Sequence, residues 1–231
     1  MNSKPSLDSA YAQVNRAAEL LVGLKRLHDS VIDAYKKATT AEVKPNVVMD
    51  PGDGPRVGTA IMFDSGDYQF KVPDKVRILT GEISNSLRSA LDYLIARLVE
   101  LDEGVVTSNN QFPIEQRPKQ FRENRNRHLA GVNDAHAARI EALQPYSGRD
   151  PWLLRLQELS NLHKHRDLVE TPHDVVITVT ASQTEGKPGE LSLNIGTKPL
   201  LSLRNGPPIL DALEMLKSQV TRTLDSFKSE F

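Results

Sequence analysis

The chain has 231 residues, 39% apolar and 26% charged, with a formal net charge of −1 and no cysteine. A globular chain of this size buries roughly 70% of its unfolded surface without staples, and the missing thiols exclude disulfides, thiolate catalysis and cysteine zinc sites. The whole chain also lacks the basic excess of a general nucleic-acid binder.

Residues 6–38 predict one long helix. Leu7, Val14, Leu21, His28 and Tyr35 recur every seven residues, with Tyr11, Ala18, Leu24 and Ile32 between them, so the stripe faces a bundle core. Residues 43–72 predict a β-hairpin: the runs Val43–Met49, Val57–Phe63 and Tyr68–Val72 are separated by turn formers rich in Asp, Gly and Pro. Those acidic turns lack the ligand spacing of an EF-hand, so turn chemistry explains them. Residues 74–166 form the expected helical core. It begins with a helix over 74–101 carrying Val76, Leu79, Ile83, Leu87, Leu91, Leu94, Leu98 and Leu101 on one stripe, with Asp74 as N-cap and Gly104 just beyond the far end.

A basic segment from Arg117 to Arg127 surrounds Phe121 and reads as a solvated helix face with the chemistry to touch phosphate. Asn133–Leu143 predict a helix stopped by Gln144-Pro145-Tyr146. Asp150-Pro151 opens another, running through Trp152, Leu153, Leu156, Leu159 and Leu162 to about Arg166. Residues 174–204 alternate as a β-meander, with Leu200, Leu201 and Leu203 in a third strand, and 207–231 close the chain as a helix with Ile209, Leu213, Leu216, Val220, Leu224, Phe227 and Phe231 on one face. The expectation is a single domain over 1–231, mainly α (α+β). It is a helical bundle of about five to six helices with a small antiparallel β-sheet from two β segments. No signal-peptide core and no run of about 18 apolar residues occurs, so no membrane is expected and a cytoplasmic location is the default.

Asn161-Leu162-His163-Lys164-His165-Arg166 is the segment richest in chemistry. At 100° per residue, His163 falls near the apolar face of Trp152, Leu156 and Leu159, while Asn161 and His165 fall opposite. On a regular helix the two histidines diverge, so a His-x-His metal site requires the helix to end before His163; no metal and no cofactor are expected. Cations late in a helix also serve its dipole and terminal carbonyls without any ligand. Arg88 and Asp92, one turn apart, are reasonable neighbours for His163 or a surface ion pair. A histidine among cations suits acid/base work on a phosphodiester, and equally suits recognition of phosphate or carboxylate.

Four blocks carry a resemblance: Leu87-Arg88-Ser89-Ala90-Leu91-Asp92-Tyr93-Leu94, Gln111-Phe112-Pro113-Ile114, Leu143-Gln144-Pro145-Tyr146 and Leu159–Arg166. Together they resemble an uncharacterised bacterial family frequent in actinobacteria. Its last block ends Asn-x-x-Lys-His-Arg, matched here by Asn161, Lys164, His165 and Arg166, with His163 where that pattern carries Asp. A more distant similarity is to the HEPN superfamily of helical bundles, which includes metal-independent ribonucleases marked by Arg, four to six residues, then His. Arg166 to His173 and Arg122 to His128 both fit that spacing.

Two functions follow as expectations. The first is a non-enzymatic binding or regulatory protein whose partners are an anionic ligand or RNA and, through the long helices, a second copy in a homodimer. It uses Asn161, His163, Lys164, Arg88 and Asp92 for binding, and it rests on the absence of a Gly-rich phosphate loop, a Gly-x-Ser-x-Gly elbow or a His-Glu-x-x-His motif. The second is a HEPN-like ribonuclease or nucleotide-acting enzyme with His165 and Arg166 as the catalytic pair.

Overall fold

The computed structural model describes residues 4–38, 40–50, 54–64, 72–148, 151–164, 173–183, 191–201 and 207–231, with side chains for 4–34, 72–148, 151–161, 201 and 207–231. Among these, the protein is mainly helical. Six α-helices occur: α1 Asp8–Ala38, α2 Asp74–Leu101, α3 Pro118–His128, α4 Asp134–Ala142, α5 Trp152–Lys164 and α6 Ile209–Phe227, the last followed by a 3-10 turn Lys228–Glu230. No helix among the described residues is long and apolar enough to cross a membrane.

The chain divides into two compact units. The first comprises residues 1–25, 74–171 and 202–231. Its axis is α2, against which α5 and α6 both pack. Val76, Ile83, Leu87, Ala90, Leu91, Leu94, Ile95, Leu98 and Val99 of α2 are all fully buried, a wider face than the predicted stripe. Leu79 and Leu101, expected on that stripe, are only half-buried. Two buried hydroxyls on α2 bond back into the helix, Thr80 to the Val76 carbonyl and Ser84 to the Thr80 carbonyl, both at 2.8 Å, so neither needs a partner elsewhere. α6 buries Ile209, Leu213, Leu216, Val220, Leu224 and Phe227, as its spacing predicts, whereas Phe231, expected on the same face, lies beyond the helix and is half-buried.

In α1, the residues of this unit that are buried are Leu7, Ala10, Val14, Ala17, Leu21 and Leu24. The second row of the seam is thus Ala10 and Ala17, not Tyr11 and Ala18. Tyr11 stands at the margin instead, where its hydroxyl donates to Asp225 at 2.6 Å. Desolvation, then that hydrogen bond, pushes the Tyr11 phenol up to about 12.

Both ends of α2 depart from expectation. Asp74 is the first helical residue, placing its carboxylate in the first turn near the positive end of the dipole. At the far end Glu103, not Gly104, takes the left-handed conformation, with φ 61°. Gly104 N donates to Val99 O at 2.8 Å and Glu103 N to Glu100 O at 3.3 Å, the two bonds of a Schellman cap. Gly104 is required for a different reason: a Cβ there would lie 2.8 Å from the Gly131 Cα and 2.9 Å from its carbonyl oxygen. Since glycine tolerates the left-handed region at no steric cost, Glu103→Gly is expected to raise stability by about 0.5–1 kcal/mol. Urea unfolding checks this, and a loss of stability would contradict it.

The second unit comprises residues 26–73 and 172–201. It contains two separate two-stranded antiparallel sheets. β1 Thr40–Asp50 pairs with β2 Gly54–Asp64, from Thr40 opposite Asp64 to Asp50 opposite Gly54. β3 His173–Gln183 pairs with β4 Leu191–Leu201, from His173 opposite Leu201 to Gln183 opposite Leu191. Pro45, Pro55 and Pro199 lie within these strands, which a two-stranded sheet tolerates because each strand keeps one unpaired edge. The expected third run Tyr68–Val72 lies outside the described residues up to position 71. The expected third strand of the meander is partly absorbed, since β4 runs unbroken through Leu200 and Leu201. His28, Val31 and Ile32 of α1 are buried in this unit, with His28 Nδ1 3.3 Å from Asp29 Oδ1.

Candidate functional site

α5 buries Trp152, Leu153, Leu156, Leu159 and Ser160, and leaves Glu158 and Asn161 exposed. The helix continues through His163 to Lys164, past the point where a His-x-His metal pair would require it to stop. The side chains of His163 and Lys164, and the residues His165 and Arg166, lie outside those described. Among the described residues no cluster of three histidines or carboxylates is placed to hold a metal.

Arg88 and Asp92 are not a surface pair. Arg88 Nη2 donates to the Phe112 carbonyl, and the Phe112 amide donates to Asp92 Oδ1 at 2.9 Å. The two side chains lie 3.5 Å apart, with only 11% of the Arg88 side chain exposed. Both polar groups of one residue in the Gln111-Phe112-Pro113-Ile114 segment are therefore held from α2. Gln144, fully buried, continues the clamp: its amide donates to Pro113 O at 2.9 Å and its oxygen accepts from Glu115 N at 2.9 Å. Gln157 of α5 reaches Ile114 O at 3.5 Å. The polar residues of two of the four sequence blocks thus converge on a third, Gln111–Ile114, which Gln157 of α5 also reaches.

The chain matches no family model, no curated protein and no solved structure.

The clamp leaves a donor over. Arg88 Nη1 is buried with no hydrogen-bond partner among the described residues, as are Arg77 Nε and Asn85 Oδ1. Projected at 100° per residue, these three side chains and Asp92 fall within a sector of about 80° on α2. A fourth such atom, Arg97 Nε, lies on the other side of the helix, where Arg97 pairs with Glu100 at 2.7 Å. Burial lowers the Arg88 pKa, an effect that the neighbouring Asp92 opposes. The guanidinium is therefore a charge short of solvation, with one carboxylate beside it and one unused N–H direction. That arrangement receives an anion or a carbonyl oxygen well.

A second polar centre is marked in the sequence only by Asn133, at the head of a predicted helix. Asp102, just past α2, accepts from Asn133 N at 2.8 Å, Asn133 Nδ2 at 2.7 Å and His136 Nδ1 at 2.8 Å. Asn133 also caps α4, accepting from His136 N at 2.8 Å. His136 Nε2 lies 3.9 Å from Glu230, which accepts from Arg139 Nη1 at 2.6 Å. Arg139 also donates to the Ser226 carbonyl and stacks 4.0 Å over the Phe227 ring. This network has the parts of an acid/base pair, but every part is engaged in fastening α4 and the end of α6 to the end of α2.

Of the two Arg-to-His spacings, Arg122 to His128 does not converge, and Arg166 lies outside the described residues. Arg122 is exposed and His128 buried, so they occupy different faces of α3; the His128 ring sits beside Gln111 and the Asn109 carbonyl. His173 begins β3.

Proposed function

We propose that this chain is a non-enzymatic binding protein that recognises an anionic ligand through Arg88 and the polar cluster Asn161–Arg166 at the end of α5. The observation that carries this reading is the buried Arg88 guanidinium with Nη1 unpartnered among the described residues. Buried polar groups are almost always hydrogen-bonded, and a buried cation with a spare donor is stabilised by an incoming acceptor. Asn161 supports it as an exposed amide on the helix that packs along α2. His163, Lys164, His165 and Arg166 supply further donors of the right charge. Asp102 and His136, which have the parts of an acid/base pair, are engaged with backbone and helix ends, which favours binding over turnover.

Thermal unfolding with inorganic phosphate against chloride at matched ionic strength tests the reading. Phosphate at about ten times its dissociation constant adds roughly 1.4 kcal/mol, or about 3–5 °C in a domain of this size. The shift is expected in the wild type and reduced in Arg166→Gln. No shift in the wild type contradicts the reading. RNA cleavage in EDTA that disappears in His165→Ala contradicts its non-enzymatic part.

A further inference from the structure

α3 is an isolated concentration of positive charge in a chain that is otherwise net acidic. Arg117, at its N-cap, is followed by Lys119, Arg122, Arg125 and Arg127, against the single acid Glu123. The whole chain carries −1. The helix buries Phe121 and His128 and exposes Pro118 at its first position. Lys119, Gln120, Arg122, Asn126 and Arg127 are exposed along its length, as is Arg117.

Internal ion pairing leaves much of this charge available. Arg125 is bound to Asp134, and Lys119 lies 3.7 Å from Glu123. Arg122 acts electrostatically on Tyr146, which also carries a hydrogen bond to Glu141. Arg117 and Arg127 make no ion pair or side-chain hydrogen bond among the described residues, so no structural contact accounts for them.

We propose that the exposed face of α3 binds the phosphate backbone of nucleic acid. Three features select this partner over an acidic protein. Apart from Pro118 at its first residue, the helix exposes no apolar or aromatic side chain, whereas a specific protein interface needs an apolar centre with charge at its rim. Four of the five cations are arginines, whose planar fork matches phosphate oxygens better than an ammonium does. Gln120 and Asn126 interleave amides that hydrogen-bond phosphate and sugar. An 11-residue helix is about 16 Å long. Successive phosphates on one strand of a duplex lie about 3.4 Å apart along the axis, so the face spans several of them. Contacts to phosphate and sugar carry no sequence information, so binding here is independent of sequence. The proposal uses none of the Arg88 and α5 residues of the proposed anion site and does not depend on that reading.

Fluorescence anisotropy on the full chain tests this, using a mixed-sequence single-stranded RNA, a DNA duplex of equal length and a polyglutamate peptide. The wild type is expected to bind the nucleic acids at low salt, with an affinity that falls steeply as salt rises. The triple variant Arg117→Gln/Arg122→Gln/Arg127→Gln should bind at least about tenfold more weakly, with its log–log salt slope smaller by about two to three. The corresponding triple lysine variant should retain most of the binding. Arg166→Gln, which alters only the proposed anion site, should leave it unchanged. Because Arg122 stands near Tyr146, the double variant Arg117→Gln/Arg127→Gln provides a second measurement, with an expected slope change of about one to two. The proposal is overturned if the wild type binds neither nucleic acid, if both Gln variants bind as the wild type does, or if polyglutamate binds more tightly than either oligonucleotide.

Discussion

Asp102→Ala is expected to lower the stability of the helical unit by about 3 kcal/mol, which for a chain of this size is roughly 6–12 °C in Tm. The Asp102 side chain is only 7% exposed and serves three donors. Hydrogen bonds to a charged acceptor contribute about 1.5–3 kcal/mol each, but Asn133 is exposed and regains water, so the three do not add. What remains is the loss at His136, whose Nδ1 is left without its acceptor in a side chain 9% exposed. The damage should extend beyond α4. His136 and Arg139 hold Glu230, and Arg139 holds the Ser226 carbonyl. Loosening α4 therefore frees the end of α6. Hydrogen exchange at residues 220–231 should accelerate in Asp102→Ala and much less in Asp102→Asn, which keeps one acceptor oxygen. A loss below about 1 kcal/mol, with unchanged exchange at the C-terminus, would show that the network is decorative.

Asp92→Ala is expected to cost about 2–3 kcal/mol, for a different reason. Removing one partner of a buried pair leaves the other charge uncompensated, which is costlier than the pair is favourable. Asp92 is itself 34% exposed, which moderates the penalty, whereas Arg88 is 11% exposed. The variant also strips the Phe112 amide of its acceptor, and the Phe112 side chain is fully buried. Removing both ends, in Arg88→Met/Asp92→Ala, should cost less than the two single losses together, with a coupling of about 1–2 kcal/mol. A double-mutant cycle in urea measures this. Additive losses would mean that the two residues hold Phe112 independently.

These two centres show where a sequence speaks and where it does not. α2 was legible to the residue, Asp74–Leu101, because its apolar spacing is long and unbroken. The first row of the α1 seam was legible from Leu7 to His28, with the Tyr35 side chain outside those described. In the second row Leu24 and Ile32 were legible but Ala10 and Ala17 were not, because alanines give a weak apolar signal while the neighbouring Tyr11 gives a strong one and lies at the margin. Gly104 was visible as a glycine past a helix end, but its role is close approach to Gly131, a contact across 27 positions that no local pattern encodes. Arg88 and Asp92 were legible as a pair one turn apart. Their true partner is the backbone of Phe112, and backbone groups carry no residue-type signature. Asp102 and His136 stand 34 positions apart with no motif between them. The one hint was Asn133, a capping residue at the head of a predicted helix, which marks a place where side chains settle backbone donors.

The central claim is that Arg88 offers an unused donor to an anion. Isothermal titration of the full chain with inorganic phosphate, in the wild type and in Arg88→Lys, addresses it most directly. A lysine can keep the charge and one bond to the Phe112 carbonyl, but it lacks the planar fork that aims a second N–H elsewhere. The expected result is saturable binding near one phosphate per chain in the wild type, weakened about tenfold or more in a folded Arg88→Lys, a loss of roughly 1.4 kcal/mol. Equal binding by the two proteins, or none by the wild type at phosphate concentrations of about 10 mM, would contradict it.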